Sequence, residues 1–235
     1  MTGFRPDTPG SQPDNNSPAY ASTRKRHPLQ AALRIPHTLI DAAGAEAAGP
    51  SFTPSRFPAV IDMSVHAANA ALGERIIVRG RVTDADGRAV AHSMVELWQA
   101  NAAGRYHHPG DQHAAPLDPN FRGAGRVFTD AAGWYEFTTI KPGAYPWGNH
   151  ANAWRPNHIH FSLFGPGFAT RLVTQMYFPG DPLLALDPVF LSVPDAAARE
   201  RLVARFDLAT TRQDWALGYR FDIVLRGRDA TPMTA

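Results

Sequence analysis

Two histidines separated by one residue are the sharpest chemical signal in the sequence. His158 and His160 flank Ile159 in the run NHIHFSLF, whose apolar and aromatic composition is typical of a β-strand. Alternate residues of a strand face the same side, so both imidazoles, with Ser162, can line a cavity while Ile159 faces the core. The chain contains ten histidines, however, and such a pair also arises by chance on a surface or in a hydrogen-bonded core. The pair therefore indicates a metal site only if further ligands are available.

The other residue types restrict which metal such a site could hold. The chain has no cysteine, which excludes thiolate zinc sites and iron–sulfur clusters. The segment after the pair, SLFGPGFAT, has no carboxylate, and the nearest acid downstream is Asp181. A two-histidine, one-carboxylate Fe(II) centre and a hydrolytic zinc centre therefore lack an obvious third ligand. Tyrosine remains as the anionic oxygen donor, and because a free phenol has a pKa of about 10, its use as a ligand indicates a strongly Lewis-acidic ion such as Fe(III).

Three tyrosines upstream of the histidines are candidate oxygen donors. Tyr135 lies in the alternating run WYEFTT and is most simply a strand residue, whereas Tyr106 and Tyr145 lie in the loops GRYHHPG and PGAYPWG. Two phenolates and one hydroxide would neutralise a ferric ion, and charge balance in a partly dehydrated site therefore favours two tyrosines over one. Taken singly, either loop tyrosine is better explained as an aromatic plug.

Short strands dominate the elements that must position these side chains. The runs ERIIVRGRV and SMVELWQA, separated by DADG, predict a β-hairpin, and GRVFTDAAGWYEFTTI repeats the pattern. TRLVTQMYF and YRFDIVLRG predict further strands. One helix is predicted over AAARERLVARF, where Ser192 and Asp195 resemble a capping box and Pro194 suits the first turn. Many strands with one short C-terminal helix predict an all-β fold, an antiparallel β-sandwich with long loops.

Composition sets broad limits on organisation and partners. The length of 235 residues allows one sizeable core, and 44% hydrophobic with 19% charged residues is an ordinary globular balance. The formal net charge of +2 gives no reason to expect a nucleic-acid partner. Residues 1 to 19, rich in Pro, Ser, Asn and Asp, predict an irregular arm. They contain no apolar signal segment, and no run in the chain approaches a membrane span, so a cytoplasmic location is expected.

Five segments carry a resemblance to a known family: LWQANAAGRY, APLDPNF, TIKPGAYPWGN, WRPNHIHF and YRFDIVLRG. They closely resemble the β subunits of protocatechuate 3,4-dioxygenases, in the intradiol ring-cleavage dioxygenase family. The resemblance runs from about Tyr20 to Gly227 and keeps the tyrosines, the arginine and the histidines in the family's order. It implies a prealbumin-like β-sandwich catalytic domain over residues 57–235, preceded by an N-terminal arm and irregular segment over 1–56.

The resemblance also implies a set of site residues. A non-haem Fe(III) ion would be bound by Tyr145 and His160 in axial positions, and by Tyr106 and His158 in equatorial positions beside a hydroxide. Arg155, Gln175, Trp147 and Tyr20 would contact the substrate, with Arg155, Tyr145 and Gln175 taking part in catalysis. For Arg155 there is also a chemical reason, because a permanent cation with no acid close to it in sequence can stabilise negative charge on a bound catecholate.

The activity implied is the opening of protocatechuate by O2 to 3-carboxy-cis,cis-muconate, a step of aromatic catabolism in the β-ketoadipate pathway. A homologous α subunit is the expected partner, in an αβ hetero-oligomer with the iron near the interface. Two alternatives remain open from the sequence. One is an intradiol dioxygenase for catechol or hydroxyquinol, although those enzymes carry a longer helical N-terminal segment. The other is a non-catalytic prealbumin-like binding module, because such modules share the residue pattern of GRVTDADGRAV and TDAAGWYEFTTIKPGAY.

Overall fold

The hydrophobic core is built from the residues of two β-sheets. The computed structural model describes residues 7–14, 19, 54–66, 69–164 and 172–234. Within these residues one sheet has four strands and the other has five, and two further pairs of short strands lie outside them. The predicted all-β sandwich is therefore confirmed. The proposed boundary between residues 56 and 57 stays a prediction, because most of 1–56 lies outside the described residues.

The strands and helices of the described residues are short. The strands are β1 (Val65–His66), β2 (Asn69–Ala70), β3 (Arg75–Thr83), β4 (Met94–Trp98), β5 (Ala124–Phe128), β6 (Trp134–Ile140), β7 (Tyr145–Pro146), β8 (Trp154–Arg155), β9 (His158–Phe164), β10 (Leu172–Tyr177), β11 (Arg205–Phe206), β12 (Leu217–Arg220) and β13 (Ile223–Val224). The helices are a 3-10 helix (Pro182–Leu186), α1 (Pro188–Leu191) and α2 (Ala196–Glu200). None of the helices in this part of the chain is long and apolar enough to cross a bilayer.

The two large sheets differ in strand direction. The first has the order β10-β9-β4-β5, and all its pairs are antiparallel. In the second, β3 pairs antiparallel with β6 on one side and parallel with β12 and β13 on the other. The run YRFDIVLRG thus forms two short strands instead of one, with Phe221 and Asp222 between them. The parallel pairs are the departure from a purely antiparallel arrangement.

Of the two hairpins predicted around DADG and DAAG, only the turns and the residues next to them pair, and the long strands do not. Strands β3 and β4 belong to different sheets, and so do β5 and β6. The turns themselves have the expected chemistry, since Asp84 and Asp130 each accept a backbone hydrogen bond with their side chain and Gly87 and Gly133 adopt φ of 78° and 82°. Each turn leads the chain from one sheet to the other because both neighbouring strands bury apolar residues in the same core from opposite sides.

Strand β9 shows the alternation expected of a strand beside the core. Ile159, Phe161 and Leu163 are fully buried in the main hydrophobic cluster. His158 and His160 therefore lie on the opposite face, as predicted.

Tyr135 is a buried residue of β6 whose hydroxyl donates a hydrogen bond to the carbonyl of Phe221, 2.5 Å away. Its interpretation as a strand residue is confirmed.

The helix prediction was correct in existence but wrong in its capping residue and its length. Helix α2 is capped by Asp195, whose carboxylate accepts from the N–H groups of Ala197 and Ala198, and the helix ends at Glu200. Ser192 is instead the C-cap of α1, a helix that was not predicted. Two aspartate caps eight residues apart explain the difference, because each satisfies the free N–H groups of its own short helix.

Gly80 offers a test of how tightly β3 and the β12–β13 connection pack. A Cβ at this position would overlap the carbonyl oxygen of Phe221 and approach the Tyr135 hydroxyl. We expect Gly80→Ala to lower the free energy of unfolding by about 3 kcal/mol, measured by urea denaturation. Gly148→Ala is the matched control, since a Cβ there meets nothing within 4 Å. Equal stability of the two variants would contradict this packing.

Candidate metal centre

Four of the predicted side chains bring their donor atoms together at one point. The Tyr145 hydroxyl is 3.3 Å from His158 Nε2, which is 3.2 Å from His160 Nε2, which in turn is 3.1 Å from the Tyr106 hydroxyl. The Tyr106 and Tyr145 rings meet edge to face with their centroids 5.4 Å apart, which closes the ring of four. In this ring Tyr145 lies opposite His160, and Tyr106 lies opposite His158. His158 is buried, while the other three are partly exposed, so a ligand could reach the centre of the ring.

The histidines owe their position to the first sheet. Strand β9 pairs with β4 on one side and β10 on the other, which places Trp98 and Gln175 beside His160 in the register. The Trp98 ring stacks on the His160 imidazole, with centroids 4.7 Å apart and planes within 5°. This contact fixes the plane of the imidazole.

The tyrosines are carried by two loops that touch each other. Gly104, with φ of 78°, lies so close to Ala144 that a Cβ would overlap the Ala144 carbonyl oxygen. Tyr106 follows Gly104 by two residues and Tyr145 follows Ala144 directly, so this backbone contact sets the distance between the two phenols. The backbone N–H of Tyr106 is further held by the Asp111 carboxylate at 2.7 Å.

Both imidazoles are neutral and can offer a lone pair. His158 Nδ1–H donates to the Pro156 carbonyl at 2.7 Å, which leaves Nε2 as the acceptor facing the ring. Burial, followed by the charges of Arg155 and His160, holds the pKa of His158 well below its usual value. Burial and the charge of Arg155 lower the pKa of His160 to about 3. Two unprotonated ring nitrogens 3.2 Å apart repel each other unless a cation lies between them.

The donor set fits a hard, highly charged ion. Burial and the neighbouring Tyr145 raise the pKa of Tyr106, so its phenol loses a proton only beside a strong Lewis acid. Two ligands bound at right angles about 2.1 Å from one ion are about 3.0 Å apart, close to the separations observed. Among the described residues no group of three or more His, Cys, Asp or Glu side chains could hold a metal ion. The two phenols and two imidazoles are donors that suit Fe(III), and the identity of the ion stays a prediction.

Arg155 lies beside this ring and is paired with an acid that is distant in the sequence. Its Nε and Nη2 donate to the two carboxylate oxygens of Asp187 at 2.9 and 3.2 Å, and both residues are buried. Asp187 is 32 residues away in the sequence, so only the fold brings the two residues together, and the role of Arg155 towards a substrate stays a prediction. Burial opposes its charge, but the pKa of Arg155 is raised further because Tyr177 and Asp187 favour the cation.

Gln175 and Trp147 both contact Arg155, and their place in a substrate pocket stays a prediction. Gln175 Oε1 accepts from Arg155 Nη2 at 2.5 Å, and its Nε2 donates to the Thr234 carbonyl at 2.8 Å. The Trp147 ring centroid is 5.2 Å from the guanidinium carbon. Tyr177, which the sequence reading missed, accepts from Arg155 Nη2 at 3.3 Å. The sequence could have indicated this residue, because Tyr177 lies two positions after Gln175 on β10 and the two side chains share one face of the strand.

Tyr20, the remaining predicted contact, lies outside the described residues. Ala19 is described, and its carbonyl accepts a hydrogen bond from Asn149 Nδ2 at 2.8 Å. A cavity of about 230 Å³ opens at this place, and it is lined by Ala19, Asn149, His150, Leu186, Pro188, Leu191 and Ser192. None of the four ring residues lines this cavity, so it does not coincide with the candidate metal centre.

Comparisons with known proteins agree on one family. A model described as "Dioxygenase" matches residues 47–227, and one described as "Protocatechuate 3,4-dioxygenase beta subunit N terminal" matches residues 4–38. The chain is 58% identical over 229 residues to the protocatechuate 3,4-dioxygenase beta chain of Burkholderia cepacia, covering 95% of this chain and 94% of that one. It is 35% identical over 162 residues to the protocatechuate 3,4-dioxygenase alpha chain of Pseudomonas putida, covering 68% and 75%.

A solved structure supports the same assignment at lower similarity. The dioxygenase domain of a dioxygenase and carbohydrate-binding protein fusion from Streptomyces sp. SirexAA-E superposes with a TM-score of 0.52 at 28% identity. The match covers 77% of this chain and 95% of that domain.

The ring of four donors generates a test with an internal control. We expect Tyr106→Phe and Tyr145→Phe each to reduce the iron bound per chain, or to shift the visible phenolate-to-iron absorption, because each removes one oxygen donor. Tyr135→Phe removes a buried hydroxyl that bonds only to the protein backbone. It should keep iron and absorption unchanged and lose about 1 kcal/mol of stability. Iron content and visible absorption would be measured for all three variants. Unchanged iron content and unchanged spectra in both Tyr106→Phe and Tyr145→Phe would contradict the assignment of these tyrosines as ligands.

Proposed function

The chain belongs to the intradiol dioxygenase family and is an oxidoreductase of that family, and from this premise we propose that it acts on protocatechuate. The reaction is cleavage of the ring by O2 between the two hydroxyl-bearing carbons, which gives 3-carboxy-cis,cis-muconate. The observation that carries the proposal is the convergence of two phenols and two imidazoles within 3.1–3.3 Å of one another. The match of residues 4–38 to the beta-subunit model favours protocatechuate over catechol or hydroxyquinol.

The proposed cofactor is a non-haem ferric ion held by Tyr106, Tyr145, His158 and His160. When bound, such an ion withdraws electron density from a catecholate, so that a ring carbon bearing oxygen becomes reactive towards O2. The neutral imidazoles are suited to this role because His158 is oriented by the Pro156 carbonyl and His160 by the Trp98 ring.

The protein side chains supply proton transfer and charge stabilisation. Tyr145 is partly exposed, and its oxygen, which would be a phenolate when the ion is bound, would accept one proton of the catechol as the substrate enters and become a neutral phenol. Arg155 uses Nε and Nη2 for its bonds to Asp187, Gln175 and Tyr177, which leaves Nη1 to donate to negative charge that develops on the substrate. The Trp147 ring covers the guanidinium and keeps water from it.

The proposed assembly is a hetero-oligomer with a homologous α chain. Its support is the 58% identity to a β chain of such an enzyme, together with the weaker likeness of 35% to an α chain. Within the cytoplasm this assembly would serve aromatic catabolism through the β-ketoadipate pathway.

Substrate and cofactor can be tested together. The chain would be co-expressed with a homologous α chain, purified, and assayed for iron and for O2 uptake with protocatechuate, catechol and hydroxyquinol. We expect iron close to one per αβ pair and the highest kcat/KM with protocatechuate. A preparation free of iron, or a preference for another catechol, would contradict the proposal.

Arg155→Ser should separate metal binding from turnover. Since Arg155 donates no bond to the four donor atoms, iron and its visible absorption should be retained, while kcat falls by about 10²-fold. Arg155→Lys keeps the positive charge but cannot form the bidentate pair with Asp187, and should be impaired as well. Arg88→Ser, at an exposed arginine paired with Asp84 and Asp86, serves as the control and should leave turnover unchanged. Wild-type turnover in the Arg155→Ser enzyme would exclude the proposed role.

A further inference from the structure

The guanidinium of Arg155 is held on one edge by a carboxylate. The Nε and Nη2 atoms donate to Oδ1 and Oδ2 of Asp187 at 2.9 and 3.2 Å, the two-point geometry in which planar donors match planar acceptors. Such a pair fixes the rotation of the guanidinium about its long axis as well as its distance. A single hydrogen bond would fix only the distance.

Asp187 is itself fixed by the fold. Its side chain is fully buried, and besides Arg155 it accepts from the backbone N–H groups of Val189 and Phe190, which begin helix α1, and from the Tyr177 hydroxyl at 3.1 Å. Pro188 follows directly and restricts the backbone at the start of the helix. The carboxylate therefore cannot turn away from Arg155 without leaving five donors unsatisfied.

The pairing with Asp187 leaves one N–H group of the guanidinium available on the edge that does not face the carboxylate. With Nε and Nη2 turned to Asp187, Nη1 is the donor left on the opposite edge of the guanidinium plane. Arg155 is the register partner of Tyr145 in the β7–β8 pair, and its charge also acts on Tyr106, His158 and His160, so the group lies within electrostatic range of all four donors. The negative charge of Asp187 balances the cation, and the effect on a substrate then comes from an aimed N–H group more than from net charge.

We propose that Asp187 is a positioning residue for Arg155, which it aims at the substrate by joining the guanidinium to the N-terminus of α1. This role rests on the proposed function, because Arg155 would act on a bound catechol. The effect is indirect, because Asp187 contacts Arg155 and Tyr177 and none of the four donor residues.

Asp187→Asn tests the proposal with a matched control. Asparagine caps a helix about as well as aspartate, so the substitution keeps the start of α1 while it removes the charge and one of the two acceptors. Asp195→Asn makes the same change at the cap of α2, where the carboxylate binds only Ala197 and Ala198. Both enzymes are purified with the α chain and compared in iron content, visible absorption, kcat and KM for protocatechuate, and thermal unfolding.

We expect the Asp187→Asn enzyme to keep its iron and absorption and to lose about tenfold or more in kcat, while the Asp195→Asn enzyme matches the wild type. The iron-free proteins give a readout that does not depend on turnover: the Arg155 Nε–H resonance should shift, and exchange faster with water, in the Asp187→Asn protein alone. An unchanged kcat and an unchanged resonance would overturn the proposal, and so would an equal loss in both variants.

A second variant covers the case in which Asp187→Asn fails to fold. Tyr177→Phe keeps the ring and removes the hydroxyl that donates to Asp187 and accepts from Arg155. It should lower kcat by about threefold to tenfold with iron retained, and wild-type kcat here would also overturn the proposal. If wild-type enzyme does not open protocatechuate at all, the proposed function fails, while the Arg155 resonance still decides whether Asp187 orients the guanidinium.

Discussion

The site depends on the two faces of strand β9. One face places Ile159, Phe161 and Leu163 in the core, where their burial holds the strand in register between β4 and β10. The other face then carries His158 and His160 at a spacing that the strand backbone determines. A shift of one residue in this register would move the imidazoles into the core and the apolar residues into the site. The free energy that stabilises the sandwich therefore also stabilises the geometry of the ligands.

A second constraint is the burial of charge next to this strand. A cation as deeply buried as Arg155 is destabilising unless it is paired and hydrogen-bonded, and Asp187, Gln175 and Tyr177 meet that need. The same contacts join β8, β10 and the start of α1 into one polar network. Gln175 extends the network to Thr234, whose carbonyl accepts from its amide. The catalytic chemistry and the satisfaction of buried polar groups thus use the same atoms.

Local patterns in the sequence were sufficient for the strands and for the histidine pair, because alternation along one strand needs no knowledge of its partners. Resemblance to a family was needed to choose Tyr106 and Tyr145, since nothing local separates them from aromatic plugs. Strand pairing was beyond local reasoning: DADG and DAAG form the expected turns, yet each connects two sheets. Asp187 was missed for a related reason, because its Asp-Pro sequence indicates a helix start but not the arginine that it meets across the fold.

The parallel alignment of β12 and β13 with β3 has a consequence for how the chain folds during synthesis. Contacts such as that between Arg81 and Asp222 join residues 141 positions apart, so one side of β3 stays without its partner strands until almost the whole chain has left the ribosome. Contacts over such separations slow folding, and an unpaired strand edge promotes association with other chains. A nascent chain of this kind gains most from chaperones that shield strand edges during elongation.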